Sequence, residues 1–437
     1  MSDYEDSEDY CGEEEVIPKW EITREWLKGI FSEYYMHSVD ICELKTISVR
    51  KPDATLSNEN VLCDITYAEF DLIGPIDVSE MRIVIKRLPA DLFNRFFVTE
   101  GQYDLREIKF YTKIVPDLKL LQPQGKKVRR IEGQTTPDDP LKLLTCYYAH
   151  YSPPERNDDS PKQTDADSLI PPESVLVLSD FDLTSFSFSE GLSVPHAKAA
   201  LDSIAGIHGL SLCMKMRDDK SLPDRYPFLF QKTKATDSYQ QMVERGFSQL
   251  ANFLECLPGL EPVLEALMAL RPKTKDIIMN LLAPESPIAT ITHTDFWCKN
   301  LQFAYTPGII KCYIIDWQMV AYSRPTNDVA LLLVSSLPSE LRRKYTQFLL
   351  DAYWNSLNEW CSIYGLDIPK ELGYTREDLS KDYRKSQLLA LLLCIGSIDI
   401  ALEYPQTKQR LIDVLQDLHE DGILTEETAI TRTEAEA

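Results

Sequence analysis

Three side chains with oxygen ligands stand close together late in the chain. Asp295 is followed by Asn300 and then, beyond two short apolar runs, by Asp316. Leu301–Tyr305 and Ile309–Ile315 are rich in apolar, β-branched and aromatic residues and flank Thr306-Pro307-Gly308, so they read as a β-hairpin with a tight turn. Closing that hairpin brings Asn300 and Asp316 to one end of a ribbon, with Asp295 within reach on the preceding loop. Such a set suits phosphoryl transfer from ATP, which needs a carboxylate beside the acceptor hydroxyl and oxygen ligands for a Mg²⁺ that bridges the phosphates. The competing reading is a polar loop that caps a buried hairpin, since Asp-x4-Asn alone arises often by chance.

The same chemistry needs a cation for the phosphates. Lys86 follows the β-like run Ile83-Val84-Ile85, and a helix is expected from about Thr99 to Val115. Tyr103, Phe110 and Ile114 form an apolar stripe on that helix, and Glu107 falls inside it. A carboxylate in an apolar seam calls for a cationic partner, because burying it alone is costly. Lys86 on the preceding strand is the candidate, and such a pair would aim the lysine at the phosphates. The alternative is a partly exposed glutamate at the edge of the stripe. Between Asp53 and Asn60, where a phosphate-covering loop belongs, there is no glycine. Asn58 and Asn60 tolerate the turn, and backbone amides there can meet phosphate, although side chains hinder close approach. Ser179-Asp180-Phe181-Asp182 follows an apolar strand and reads as the crossing between two lobes, where adenine would lie against backbone.

The elements that must position these groups occupy a chain of 437 residues, 44% hydrophobic and 10% aromatic, enough for a large core. A net charge of -23 disfavours nucleic acid and anionic membrane as partners. The longest apolar run, Leu388–Gly396, is too short to span a bilayer. Ten scattered cysteines without a CxxC pair read as reduced thiols of a cytosolic protein, not as a disulfide framework or zinc site. Residues 1–17 form an acidic tail expected to be disordered, and Trp20–Val39 a helix packed on the first lobe. Strands are expected at Cys63–Ile73, Met81–Leu88, Leu143–Tyr151 and Val175–Leu178. The basic loop 122–139 and the polar insertion 152–172 separate some of them. From Val194 the pattern is helical: a helix capped by Ser193 and running to Leu212, then Phe247–Leu270, Ile277–Leu282, Asp328–Leu337, Leu341–Tyr364 and Gln387–Leu402. His208 reads as a core residue and Asp328 as a helix cap. The division expected is an N-lobe over 18–180, a C-lobe over 181–424 and a disordered tail over 425–437. Oligomeric state leaves no mark in the sequence.

Several pieces together resemble the CHK-kinase-like, or ecdysteroid-kinase-like, family, which is related to choline kinases and aminoglycoside phosphotransferases. They are Val84-Ile85-Lys86, Glu107-Ile108-Lys109-Phe110-Tyr111, Val177-Leu178-Ser179-Asp180, Ala205-Gly206-Ile207-His208, His293-Thr294-Asp295-Phe296-Trp297 with Asn300, and Ile315-Asp316-Trp317-Gln318. The resemblance implies an α+β, bilobal protein-kinase-like fold, with a small β-rich N-lobe, a larger, mainly helical C-lobe, and ATP between them. It implies Asp295 as catalytic base, Asn300 and Asp316 as Mg²⁺ ligands, Lys86 on the phosphates and Glu107 holding Lys86. Ser179, Asn58 and Asn60 fall to the nucleotide site, and the acceptor is a hydroxyl on a small molecule, with ecdysteroids and choline as precedents. The sequence departs from the family pattern at Thr294, where glycine is usual, at Asn58, which stands for a glycine, and at Ser179, where an acidic residue is common. These departures point to weakened nucleotide binding, and they keep open a kinase-fold protein that binds a ligand or partner without catalysis.

Overall fold

A computed structural model describes residues 21–49, 62–121, 141–152, 174–181, 183–218, 221–229 and 232–429. The acidic tail, the loop carrying Asn58 and Asn60, the basic loop and the polar insertion lie outside these residues.

The first lobe is an antiparallel sheet of five strands in the order β1-β2-β3-β5-β4. Its members are β1 (Asp40–Val49), β2 (Asp64–Ile73), β3 (Val78–Arg87), β4 (Cys146–Tyr151) and β5 (Ser174–Ser179). The period of two along a strand sends alternate residues to opposite faces. Ile83, Ile85, Val175 and Val177 face outward into a small core with Trp26, Leu27, Ile30 and Phe31 of helix α1 (Arg24–Tyr35). Val84, Leu176 and Leu178 turn the other way and join the main core.

The helix expected from Thr99 to Val115 is two helices and a wider turn. Helix α2 (Leu92–Gly101) ends at Gln102, whose φ of 56° breaks the spiral, and α3 (Tyr103–Lys109) begins beyond it. At Gly101 an added Cβ would lie 2.3 Å from the Tyr103 ring, so the chain turns there against an aromatic side chain. A π-helical turn, Phe110–Ile114, then leads into α4 (Val115–Lys119).

The second lobe is mainly helical. Its helices are α5 (Val194–Arg217), α6 (Leu222–Arg225), α7 (Lys232–Glu255), α8 (Glu261–Leu270), α9 (Thr274–Leu282), α10 (Thr326–Ser336), α11 (Ser339–Ile363), α12 (Arg376–Gly396), α13 (Ile398–Ala401) and α14 (Pro405–Glu420). The single helix expected over Phe247–Leu270 is interrupted after Glu255 by a turn containing Pro258 and Gly259, the latter at φ 89°. Ser193 stands at the cap position of α5, but its hydroxyl bonds His196 Nδ1 at 2.6 Å and no backbone N–H. Helix α14 was not expected, although Pro405 at its first position and Gly422, at φ 63° just past its end, mark it. At the start of the expected tail, Glu426–Ala429 form a short 3-10 turn, with Glu426 paired to Lys273. Helices α7 and α12 cross at Gly246, where a Cβ would sit 1.8 Å from the Ile395 carbonyl oxygen.

Small strands lie where the lobes meet. Strands β7 (Thr290–Thr292) and β10 (Ala321–Ser323) pair, and β6 (Thr184–Ser185), β8 (Leu301–Thr306) and β9 (Ile309–Ile314) form a second ribbon. The β8–β9 hairpin pairs Leu301 with Ile314 and Thr306 with Ile309, leaving Pro307-Gly308 as the bend, with Gly308 at φ 78°. Among the described residues no helix is long and apolar enough to cross a membrane, and the cysteines are free thiols.

Candidate active site

Strand alternation explains Lys86. With Ile83 and Ile85 committed to the outer core, Lys86 faces inward, where its Nζ donates to Glu107 Oε2 at 2.6 Å and to Asp316 Oδ1 at 2.8 Å. Burial works against the ammonium, but the Asp316 and Glu107 carboxylates overcome it and hold Lys86 well above its usual pKa. Burial pushes the Glu107 carboxyl upward, and Lys86 opposes that shift. Two contacts fix the glutamate's helix to the loop after β9. Arg106 Nε donates to the Gln318 carbonyl at 2.9 Å, and the Phe110 ring stacks on Trp317 at 3.9 Å with planes 6° apart.

The segment from His293 to Asn300 is held from below by α10. Asp328 Oδ2 accepts from the His293 backbone N–H and Oδ1 from that of Thr294, both at 2.7 Å. At the other end of the helix, Ser336 Oγ accepts from the Cys298 N–H at 2.9 Å. Asp328 is therefore not the helix cap expected from its place in the sequence. It lies inside the first turn, fully buried, and spends both oxygens on the loop. His208 is the buried core residue expected, with Nε2 3.1 Å from Asp328 Oδ2 and Nδ1 2.8 Å from the Tyr353 hydroxyl. His293 Nε2 donates to the Ile315 carbonyl at 2.9 Å, so its Nδ1 accepts from the Asp295 N–H at 3.2 Å. One imidazole thus ties the Asp295 backbone to the end of β9.

Thr294 and Asp316 both adopt left-handed backbone, with φ of 68° and 66°. For a β-branched residue that conformation is strained, by about 1–3 kcal/mol. The Asp328 clamp on its N–H and a 3.2 Å contact between the Thr294 and Thr292 hydroxyls keep Thr294 there. A residue with a β-branch therefore occupies the turn without displacing Asp295.

Asn300 Nδ2 donates to the Asp295 carbonyl at 2.9 Å and to Asp295 Oδ2 at 2.8 Å. Burial raises the Asp295 carboxyl above the usual range and Asp316 adds to the rise, while His293 and Asn300 oppose it. Gln318 Nε2 lies 3.3 Å from Asp316 Oδ2. Lys86, Glu107, Asp295, Asn300 and Asp316 all line one cavity of about 600 Å³. Ser179 lines it too, at the end of β5, but its hydroxyl accepts from the Thr145 N–H at 2.9 Å and so is turned toward the sheet. Asn58 and Asn60 lie outside the described residues.

The rest of the cavity's lining, its second arm, comes from residues of the helical lobe and the loop after β6 that sequence reasoning did not find. Its walls come from Phe186 and Phe188, from Val243 on α7, from Leu331 on α10, and from Leu393 to Ala401 at the end of α12 and along α13. The charges at its edge are paired: Arg245 Nη2 lies 3.3 Å from Asp399 Oδ2. Two of its aromatic rings carry protein cations, with Lys299 Nζ 5.4 Å from the Trp297 ring centre and Arg410 Cζ 5.3 Å from that of Phe188. These residues are scattered through the chain, and no spacing announces them.

Among the described residues no group of three or more His, Cys, Asp or Glu side chains is arranged to hold a metal. The donors present are an amide and a carboxylate, Asn300 and Asp316, with Asp295 close to both. That is the sparse, hard-oxygen set that suits a Mg²⁺ keeping waters and phosphate oxygens as its other ligands.

A cleft between a β-sheet lobe and a helical lobe, with a lysine held by one carboxylate from each side of it, defines a bilobal kinase-like architecture. The sequence model of the ecdysteroid kinase-like family matches residues 60–366, and the chain belongs to that family. No curated protein matches it. Among solved structures it is similar to choline kinase from Cryptosporidium parvum Iowa II, at 12% identity and a TM-score of 0.45, covering 87% of this chain and 91% of that one. It is also similar to Plasmodium vivax ethanolamine kinase, at 10% identity and a TM-score of 0.39, covering 86% of this chain and 81% of that one. A microcompartment-associated aminopropanol kinase gives 10% identity and a TM-score of 0.39, covering 88% of this chain and 94% of that one.

Proposed function

We propose that this protein transfers the γ-phosphate of ATP to a hydroxyl of a small, uncharged molecule. The observation that carries the reading is the Lys86 ammonium, bound to Glu107 of one lobe and Asp316 of the other, at the head of the cavity that contains Asp295. Lys86 binds phosphate oxygens, and Glu107 keeps it aimed at them. Asp295 accepts the proton of the attacking hydroxyl. Its upward shift through burial strengthens it as a base, because a carboxyl nearer the working pH takes a proton more readily. Asn300 orients Asp295 by binding its Oδ2 and carbonyl, which leaves Oδ1 for the acceptor. Asn300 and Asp316 would hold Mg²⁺, which supplies positive charge to the phosphates.

Two features favour an ecdysteroid-like alcohol over a choline-like cation. A quaternary ammonium binds best over open aromatic faces, and those of Trp297 and Phe188 already carry Lys299 and Arg410. The carboxylate at the edge of the arm, Asp399, is already paired to Arg245.

Incubation with Mg-ATP and ecdysone should give a phosphorylated product by mass spectrometry, and Asp295→Ala should lower the rate about 10³-fold. An Asp295→Ala variant as active as the parent rules this mechanism out. The strained Thr294, with the glycine-free stretch at Asn58, stands on the side of a second reading, a catalytically weak or inactive kinase-fold protein that binds a ligand or partner. Thermal melting separates the two, since a nucleotide bound to the native state raises Tm by mass action and an unbound one does not.

A further inference from the structure

Arg410 on α14 is an isolated buried cation. It is 6% exposed, and among the described residues its bonds go to carbonyl oxygens, not to a carboxylate. Nη1 donates to the Phe188 carbonyl at 2.9 Å and to the Ser335 carbonyl at 3.0 Å, and Nη2 to the Ser189 carbonyl at 3.1 Å. Ser335 lies in the last turn of α10, whose carbonyls have no partner within the helix and carry the negative end of its dipole. The guanidinium therefore bridges two things: the end of α10, and the loop that follows β6. A second bond joins the same pair, from the Leu192 N–H to the Ser336 carbonyl at 2.8 Å.

That loop forms one wall of the second arm of the cavity. Phe186 and Phe188 line it, Phe188 meets the edge of Trp297 with ring centres 5.5 Å apart, and Ser335 lines the same space. Ser187 Oγ donates to Glu190 Oε2 at 2.8 Å, so the loop has an internal turn. The turn alone does not place the loop against α10. Gly191, at φ 70°, lies so close that a Cβ would be 2.8 Å from the Ser336 carbonyl oxygen and 2.9 Å from Arg410 Nη2. The planar fork of an arginine can bond three carbonyls on two elements at once, and a lysine cannot match that geometry.

We propose that Arg410 is a specificity-determining positioning residue: by fastening the Phe186–Ser189 loop to the end of α10, it sets the width of the acceptor arm. This rests on the kinase reading for what the arm binds, but not for the position of the loop. It also assigns a part in acceptor choice to a helix beyond the residues matched by the family model.

The test compares Arg410→Lys with Arg342→Lys, a change at another buried arginine that bonds Asp417 at 2.6 Å on α14 and does not reach the loop. With ecdysone and Mg-ATP, Arg410→Lys should raise the acceptor KM about tenfold and leave the ATP KM within about twofold, a split that a merely structural loss does not produce. Independently of activity, acrylamide quenching of Trp297, taken as the difference between each protein and its Trp297→Phe counterpart, should rise in Arg410→Lys and stay at the parent level in Arg342→Lys. Gly191→Ala pushes on the same loop without changing charge, so it should raise quenching too and stands in if Arg410→Lys does not fold. Quenching unchanged in the folded variants overturns the proposal. A parent that phosphorylates nothing defeats the kinase reading alone, and the quenching result still decides the role of Arg410.

Discussion

On one side of Asp295 the cavity is organised by charge. Lys86 meets Glu107 at 2.6 Å and Asp316 at 2.8 Å. On the other side the walls are Phe186, Phe188, Leu331 and Ile400, and the charged groups at the edge neutralise one another. A charged cluster in a partly dry cleft works only at set distances, so a few residue types in a set order specify it. An apolar wall needs only the right volume, which many combinations of side chains supply. The difference explains why one side of the cavity is marked in the sequence and the other is not.

The largest way to break that contrast is at the wall. Gly246→Ala places a methyl group against the Ile395 carbonyl, so α7 and α12 must separate. A loss of about 3 kcal/mol in chemical denaturation is expected, the upper end for overpacking, with the acceptor KM raised more than the ATP KM. Next comes Glu107→Gln, which removes one of the two carboxylates on Lys86. The ATP KM should rise about tenfold and the acceptor KM should not move; equal changes in both would show that the two sides are not separate. A smaller effect is expected for Thr294→Gly. Relief of left-handed strain is offset by chain entropy and a lost hydroxyl contact, so stability should stay within about 1 kcal/mol of the parent. A loss of more than twice that would mean the threonine is not strained.

The smallest effect is a pH dependence away from both sides. Lys215 donates to the Pro287 and Ala289 carbonyls, at 2.5 and 2.6 Å, and burial lowers its pKa from 10.5 to about 8. The folded state then binds fewer protons than the unfolded one between those values, so this lysine's contribution to stability should increase as pH rises from about 8 toward 10.5. Urea titrations of the parent minus Lys215→Met should show that rise, and neither KM should change. A flat difference curve would refute the shift.

Much of the charged side could be read from spacing. Glu107 in an apolar stripe demanded a cation, and the Pro-Gly bend put Asn300 and Asp316 at one end of a ribbon. Asp328 was misread because a polar residue at a helix start is usually a cap, and nothing local says that its oxygens serve a loop 35 residues earlier. Its partner His208 carried a fainter signal, a titratable group within an apolar stripe. The break at Gln102 was hidden because apolar periodicity resumes on the far side of it. Arg410 gave no signal at all, since carbonyl partners leave no trace in residue types.

Asp328 and Ser336 grip the same loop from opposite ends of one helix. At about 1.5 Å per residue they stand roughly 12 Å apart, so α10 acts as a gauge block whose length fixes the span of the His293–Cys298 turn. Inserting or deleting a single residue between them would rotate one grip away by about 100° while leaving every side chain of the cavity intact in composition. Length variation in descendants of this chain should therefore fall elsewhere, and α10 should keep its residue count even where its letters drift.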